Sequence, residues 1–309
     1  MTIEQELASL VPHKETVLTI GVFDGVHEGH RYLIEKLIHQ AQERDLLSGV
    51  VTFHPHPQSV LDPQNQLPYL MGLDDRVEEI RHLGVDLIAL LSFTPEVARL
   101  SARQFIALLK KYLRMQGLVI GDDFTLGRGR QGNAEKLAAL GKEMRFFVHI
   151  VSPFTIDGET VSSTLVRQTL TQGNMEKVRK LMRHPFSISG KVITGDKRGR
   201  VLKFPTANLD IGSQQVLPGN GVYASIAYAD GKQFASATNI GIRPTFGQGQ
   251  KTVETYLIDY HRELYRKELK VEFIRKIRDE QRFASPQDLK FQIEKDVEQA
   301  RKIVDKEMK

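Results

Sequence analysis

The chain has 309 residues, 40% of them hydrophobic and 26% charged, a globular composition of a length that suits two domains. It has no cysteine, which excludes disulfides, thiolate metal sites and cysteine nucleophiles; with no run of about 18 apolar residues and no basic, then apolar, leader at the start, a cytoplasmic protein without a membrane span is expected. The net charge of +5 gathers after residue 183, where 22 Lys+Arg face 16 Asp+Glu, leaving a phosphorylated small molecule, nucleic acid or a plain solvated basic face as readings.

Five short apolar runs organise the first half: VLTIGVFD (17–24), GVVTF (49–53), DLIALL (86–91), GLVIGDD (117–123) and MRFFVHIV (144–151). Runs this short with little alternation fit parallel strands buried on both faces. Helical patterns separate them. The clearest spans 101–114, with Phe105, Leu108, Leu109, Tyr112 and Leu113 on one stripe and Ser101 and Gln104 at capping-box spacing. Repeated strand–helix alternation predicts a doubly wound α/β domain over 1–183, with its site at the carboxyl ends of the strands. After residue 183 short alternating segments punctuated by Gly and Pro take over: 188–195, 221–229, 254–259 and 268–277. They predict a small antiparallel β-barrel over 184–309. A closing helix is expected, with Ser285 as N-cap, Pro286 at the first position, and Leu289, Ile293, Val297, Ala300 and Val304 on one face.

The strongest chemical signal is GVFDGVHEGHRYLIEKL (21–37). A strand runs through a Gly-rich turn into a helix, with His27 and His30 at the helix start and Gly25 and Gly29 beside them. Free N–H groups and the helix dipole attract phosphate there, and two imidazoles add donors for charge that develops during transfer. The same spacing also suits capping or surface histidines. No third ligand nearby supports zinc, and no GxxxxGK[ST] pattern supports a P-loop. In VSSTLVRQTLTQG (161–173), hydroxyls precede a helix and Arg167 sits one turn in, which suits phosphate or simple capping.

GVFDGVHEGH with SSTLVR resembles the paired motifs of the HxGH nucleotidyltransferase superfamily. VTFHPHP (51–57) and GDDFTLGRGRQG (121–132) narrow the resemblance to the FMN adenylyltransferase module of bacterial FAD synthetases. GDKRGRVLKFPTANL (195–209), NIGIRPTF (239–246), VETYLID (253–259), ELY (263–265) and IRDEQRF (277–283) resemble the riboflavin kinase module of the same bifunctional family. The likeness spans about residues 16 to 302.

The resemblance implies riboflavin, FMN, FAD and ATP as small-molecule partners and Mg²⁺ as cofactor. It implies that His27 and His30 hold the ATP phosphates, that Gly21, Phe23, Asp24, Gly25 and Gly29 build the nucleotide turn, and that Ser163, Thr164 and Arg167 form a second phosphate motif. His56, Pro57, Asp123 and Phe124 lie in segments used around the flavin and adenine. In the kinase module Thr206 and Asn208 match magnesium and phosphate ligands, Glu254 the general base, and Arg278 a flavin-side arginine. Gly195, Lys197, Gly199 and Arg200 match a basic loop over the phosphates, which gives the charge excess a small-molecule explanation. By residue type alone, PTAN also reads as a turn and Glu254 as a solvated strand residue.

Two departures fall in the kinase half. Lys203 stands where the family usually has Gly, and the junction reads LMRHPF (181–186), with Met182 for Gly and His184 inserted before Pro185. They bring in an alternative, an adenylyltransferase with a weak or regulatory kinase module. Nucleic acid is not expected, since neither an aromatic-rich basic strand motif nor a helix-turn-helix signal is present. No membrane association is expected, and self-association is left open.

Overall fold

The apolar runs of the first half form five parallel strands; the three central ones are buried on both faces, as expected, while the two edge strands leave Leu90 and Ile150 exposed. In this computed structural model, which describes residues 1–64, 67–195, 204–212, 215–242 and 251–308, the chain divides into two units, Met1–Ser162 and Ser163–Lys309. In chain order the first unit holds α1 (Ile3–Ala8), β1 (Thr16–Ile20), α2 (Glu28–Glu43), β2 (Leu47–His54), α3 (Pro57–Leu61), α4 (Leu73–His82), β3 (Leu87–Ser92), α5 (Pro95–Ala98), α6 (Ala102–Leu113) and β4 (Met115–Gly121). A two-stranded ribbon, β5 (Thr125–Leu126) with β6 (Gly132–Asn133), leads to α7 (Ala134–Met144) and β7 (Phe147–Val151). A second ribbon, β8 (Thr155–Ile156) with β9 (Glu159–Thr160), ends the unit.

The sheet order is β3-β2-β1-β4-β7, all parallel. The chain winds outward from β1 in both directions, so the crevice lies at the carboxyl ends of β1 and β4. Leu18, Ile20, Val51, Phe53, Leu118 and Ile120 share one apolar cluster with Phe105, Ile106 and Leu109 of α6 and Leu137 of α7. The other face is covered by α2, which buries Ile34, Leu37 and Ala41. Ser101 caps α6 through the expected box with Gln104. Two runs are shorter than their apolar length suggests. The first strand stops at Ile20, because positive φ at Phe23, Gly25 and Val26 turns the backbone. The last starts at Phe147, because Met144 still belongs to α7 and Arg145 adopts a left-handed cap.

The second unit opens with α8 (Ser163–Gln172) and α9 (Met175–Met182). Six strands follow: β10 (Phe186–Ile193), β11 (Ala207–Asp210), β12 (Gly221–Ala229), β13 (Lys232–Ile242), β14 (Lys251–Leu257) and β15 (Glu268–Arg278). They close into an antiparallel barrel in the order β10-β11-β14-β13-β12-β15. The sequence places its boundary at 183/184. The division lies at 162/163 because α9, burying Met175, Val178, Leu181 and Met182, packs on β10 and β15, and α8 packs on α9.

Inside the barrel, Tyr223 and Phe273 meet edge to face. Beside them runs a chain of buried hydroxyls, Ser225, Ser236, Thr238 and Thr255, joined at 2.7 to 3.0 Å. The final helix, α10 (Pro286–Glu307), starts at Ser285, whose side chain accepts from the Asp288 amide. It packs Ala300 and Val304 against Ala224 and Ile226 on the outside of the barrel.

Candidate active sites

In the first unit the chemistry gathers at the carboxyl end of β1. Gly21 follows the strand, donating its amide to the Val51 carbonyl, and the turn through Phe23, Asp24 and Gly25 delivers His27 as the N-cap of α2. His27 Nδ1 accepts from the His30 amide at 3.3 Å. A ring nitrogen that accepts carries no proton, so neutral His27 bears its proton on Nε2. The two imidazoles stack, with centroids 3.6 Å apart and planes 17° from parallel, and Phe23 meets His30 edge-on at 5.2 Å.

Burial, the neighbouring His27 and the charge of Arg76 hold His30 well below the usual histidine range. At neutral pH it is a neutral imidazole and offers one N–H, not the two of an imidazolium. Gly29 is required by close approach. A Cβ there would lie 2.9 Å from the Val161 carbonyl oxygen and 3.2 Å from His27 Cε1 and Nδ1.

Asp24 is buried, and its carboxylate accepts from the amides of Leu70, at 3.0 and 3.1 Å, and Met71, at 3.3 Å. It therefore ties the turn to the segment entering α4. Sequence reasoning missed Arg76 on that helix. Only 1% of it is exposed, and Nη2 donates to the Phe53 carbonyl at 3.0 Å. Its guanidinium lies 5.9 Å from the Tyr69 ring centroid. In sequence, Arg76 reads as one of several charges on a solvated helix face, so no local signal marks it.

His56 caps α3 through Nδ1, and its amide donates to Tyr69 Oη at 2.6 Å, with Pro57 first in that helix. At the end of β4, Asp123 is exposed while Phe124 packs against the core. The described residues contain no group of three or more His, Asp or Glu arranged to hold a metal.

In the second unit Ser163 and Thr164 lie in the first turn of α8, and Arg167 Nη1 donates to the Ser163 carbonyl at 3.3 Å. On the barrel, strand register aligns three polar residues. Asn208 of β11 pairs with Glu254 of β14, and Glu254 pairs with Asn239 of β13. Residues directly opposite share a face. Their chain neighbours Ala207, Leu209, Val253, Thr255, Thr238 and Ile240 are buried, so the row of three faces outward. Thr206, two residues from Asn208, lines a cavity of about 620 Å³ with Tyr260, His261 and Tyr265. Gly195 sits against Asn208, since a Cβ there would be 2.3 Å from Asn208 Nδ2.

Asn239 was the second residue missed. It begins the NIGIRPTF segment, but its place beside Glu254 is visible only once β13 is known to be a strand. Arg278 pairs with Asp296: its Nε donates to both Asp296 oxygens at 3.0 Å and its Nη2 to one at 2.7 Å. The pair ties α10 to the end of β15. Lys197, Gly199, Arg200 and the departure at Lys203 lie outside the described residues.

A histidine-capped helix at the switch point of a doubly wound sheet, and a barrel carrying a carboxylate between two amides, define a chain of two phosphate-handling transferase modules. The family models agree with this class: FAD synthetase matches residues 10–165 and riboflavin kinase residues 182–304. The bifunctional riboflavin kinase/FMN adenylyltransferase of Escherichia coli K12 is 39% identical over 290 residues, 93% of this chain and 92% of its own length. Its Bacillus subtilis counterpart is 35% identical over the same shares. A solved structure described as a macrolide-efflux protein from Streptococcus pneumoniae is 28% identical, with a TM-score of 0.87 over 96% of both chains. The chain belongs to the bifunctional riboflavin kinase/FMN adenylyltransferase family. No helix among the described residues is long and apolar enough to cross a membrane.

Proposed function

We propose that this chain performs two successive transfers from ATP: phosphorylation of riboflavin to FMN, then adenylylation of FMN to FAD with release of pyrophosphate. The observation that carries this is the coexistence, in one chain of the family, of the stacked His27–His30 pair on α2 and the Asn208–Glu254–Asn239 row on the barrel.

In the kinase step the ribityl hydroxyl gives its proton to Glu254 as its oxygen bonds to the γ-phosphorus, and ADP leaves. A carboxylate within hydrogen-bond reach of the hydroxyl suffices as base. Thr206 and Asn208 offer hard oxygen donors two residues apart, and Gly195 leaves room beside Asn208. They suit Mg²⁺, which is held by few protein oxygens together with nucleotide phosphates and which neutralises phosphate charge when bound.

In the adenylyl step an FMN phosphate oxygen bonds to the α-phosphorus of ATP and pyrophosphate leaves. The nucleophile is already an anion, so no strong base is required. His27 and His30 supply oriented N–H donors as charge moves onto the leaving phosphates. Ser163, Thr164 and Arg167 are assigned to phosphate binding at the start of α8. His56, Pro57, Asp123 and Phe124 are assigned to the flavin and adenine side, and Arg278 to holding the barrel end beneath α10. The basic excess after residue 183 serves nucleotide phosphates on this reading.

A pair of variants tests the assignment. His30→Ala removes one preorganised donor and is expected to lower FAD formation from FMN by roughly 10²-fold, leaving riboflavin phosphorylation intact. Glu254→Gln is expected to do the reverse, lowering FMN formation by roughly 10²–10⁴-fold. If either variant keeps the activity it should lose, that residue's role is wrong; if both activities fall together in both, the separation of sites is wrong.

A further inference from the structure

Two kinds of unmet hydrogen-bonding need occur in the first unit, on α2 and on α4, which the Arg31–Glu79 ion pair joins. His30 Nδ1 is buried without a partner among the described residues. So are Nε and Nη1 of Arg76, although the side chain is buried and charged. Arg76 offers two N–H donors there, and an unprotonated imidazole nitrogen accepts one. Buried polar groups are nearly always hydrogen-bonded, and an unmet one costs stability, the more so when charged.

The surroundings narrow the explanation. His30 faces His27 and Phe23 from its own turn and Arg76 from α4. Arg76 faces the Asp24 carboxylate, the Tyr69 ring, His54 and the Phe53 carbonyl. Asp24 is engaged by the Leu70 and Met71 amides, which hold the entry to α4 against the histidine turn. On α2 and α4, Arg31 and Glu79 form a further ion pair at 2.5 Å. The segment carrying Arg76 is thus tied to the histidine turn through Asp24 and to α2 through the Arg31–Glu79 pair.

We propose that Arg76 is a positioning residue for adenylyl transfer: on nucleotide binding its side chain turns to donate to His30 Nδ1, fixing the tautomer whose Nε2–H faces phosphate. The inference rests on the adenylyl-transfer reading of this site. His27 is already set in the same tautomer by the His30 amide, so both rings of the stack then present Nε2–H. The partner of one ring nitrogen decides which nitrogen carries the proton, and losing such a supporting group around a functional histidine typically costs 10–100-fold. Side-chain rotamer changes are common on binding.

The test uses the full chain as wild type, Arg76→Met and Arg76→Lys. Ring-nitrogen NMR of histidine-labelled protein is recorded with FMN and a non-hydrolysable ATP analogue, and FAD formation from FMN is followed in steady state. Wild type should show His30 protonated on Nε2 alone. Arg76→Met should give mixed tautomers, kcat lower by about 10–100-fold and the KM for ATP changed little, the pattern of a group that acts in the transition state. Arg76→Lys should restore the Nε2–H form and most of kcat. Arg76→Gln, which keeps a donor for the Phe53 carbonyl, replaces Arg76→Met if that variant does not fold. An unchanged His30 spectrum in the neutral variant, or a lysine variant as poor as the neutral one, overturns the role of Arg76. A wild type that forms no FAD overturns the reaction reading instead, since the spectrum is read without turnover.

Discussion

Substituting Gly29→Ala sets helix propensity against close packing. Gly29 lies in the first turn of α2, where alanine in place of glycine favours a helix by up to about 1 kcal/mol. The new Cβ would stand 2.9 Å from the Val161 carbonyl oxygen and 3.2 Å from two atoms of the His27 ring. A backbone carbonyl yields poorly, so the ring must move by several tenths of an ångström. Overpacking of this kind costs about 1–3 kcal/mol, which offsets the helix gain and leaves stability lower by roughly 0–2 kcal/mol. The effect on transfer should be larger. His27 caps α2 and stacks on His30, so its displacement moves both donors, and a misplacement of about 1 Å costs roughly 10²-fold in rate. FAD formation from FMN should therefore fall by about 10-fold or more, while riboflavin phosphorylation stays near wild type. Steady-state assays of both reactions, with a thermal melt of each protein, read the separation. Wild-type FAD formation in a folded Gly29→Ala protein would refute the claim that this close approach sets the histidine geometry.

Two further expectations concern pH and the barrel. The folded His30 titrates well below an unfolded histidine, so between pH 6.5 and its folded value the unfolded chain takes a proton that the folded ring refuses. The first unit's stability should fall as pH drops through this window and be independent of His30 above it. His30→Gln should flatten that slope in urea midpoints at pH 7.5 and 5.5, and an equal acid loss in both proteins would contradict it. Asp296 is buried and accepts from Arg278 and from Gln292, the latter at 2.9 Å. Asp296→Ala should destabilise the barrel unit by about 3–5 kcal/mol, with much of it recovered by a paired Arg278→Met change. A loss below about 1 kcal/mol in denaturant unfolding would mean the pair contributes little.

The doubly wound sheet was legible because its central parallel strands, buried on both faces, write themselves as unbroken apolar runs, and its edge strands β3 and β7 are apolar too although Leu90 and Ile150 are exposed. The barrel was legible except at β11, whose PTAN start reads as a turn, and at β13. KQFASATNIGI (232–242) hides its alternation because two of its inward residues, Ser236 and Thr238, are hydroxyl-bearing and satisfied by Ser225 and Thr255 across the interior. Without that strand Asn239 had no address, and its neighbour Glu254 looked solvated. The placement of α8 and α9 was not legible either, since the apolar stripe of α9 says that it packs but not on what.

Of the candidate site, the histidine turn stood out because glycine spacing and helix capping are local, whereas PTAN stood out only through the family resemblance. Arg76, the inward turn of Asp24 and the Arg278–Asp296 pair did not, because each depends on a partner at least 18 residues away. The closing helix shows the same limit. Its apolar face was readable at Ala300 and Val304, yet Asp296 is buried beside them for the sake of Arg278.

The most direct measurement of the central claim is a time course of purified chain with riboflavin, ATP and Mg²⁺, flavins separated by chromatography. The account predicts FMN accumulating first and FAD following with pyrophosphate release, and no flavin nucleotide when ATP is omitted. Riboflavin left unchanged, together with FMN that is never converted to FAD when supplied directly, would contradict it.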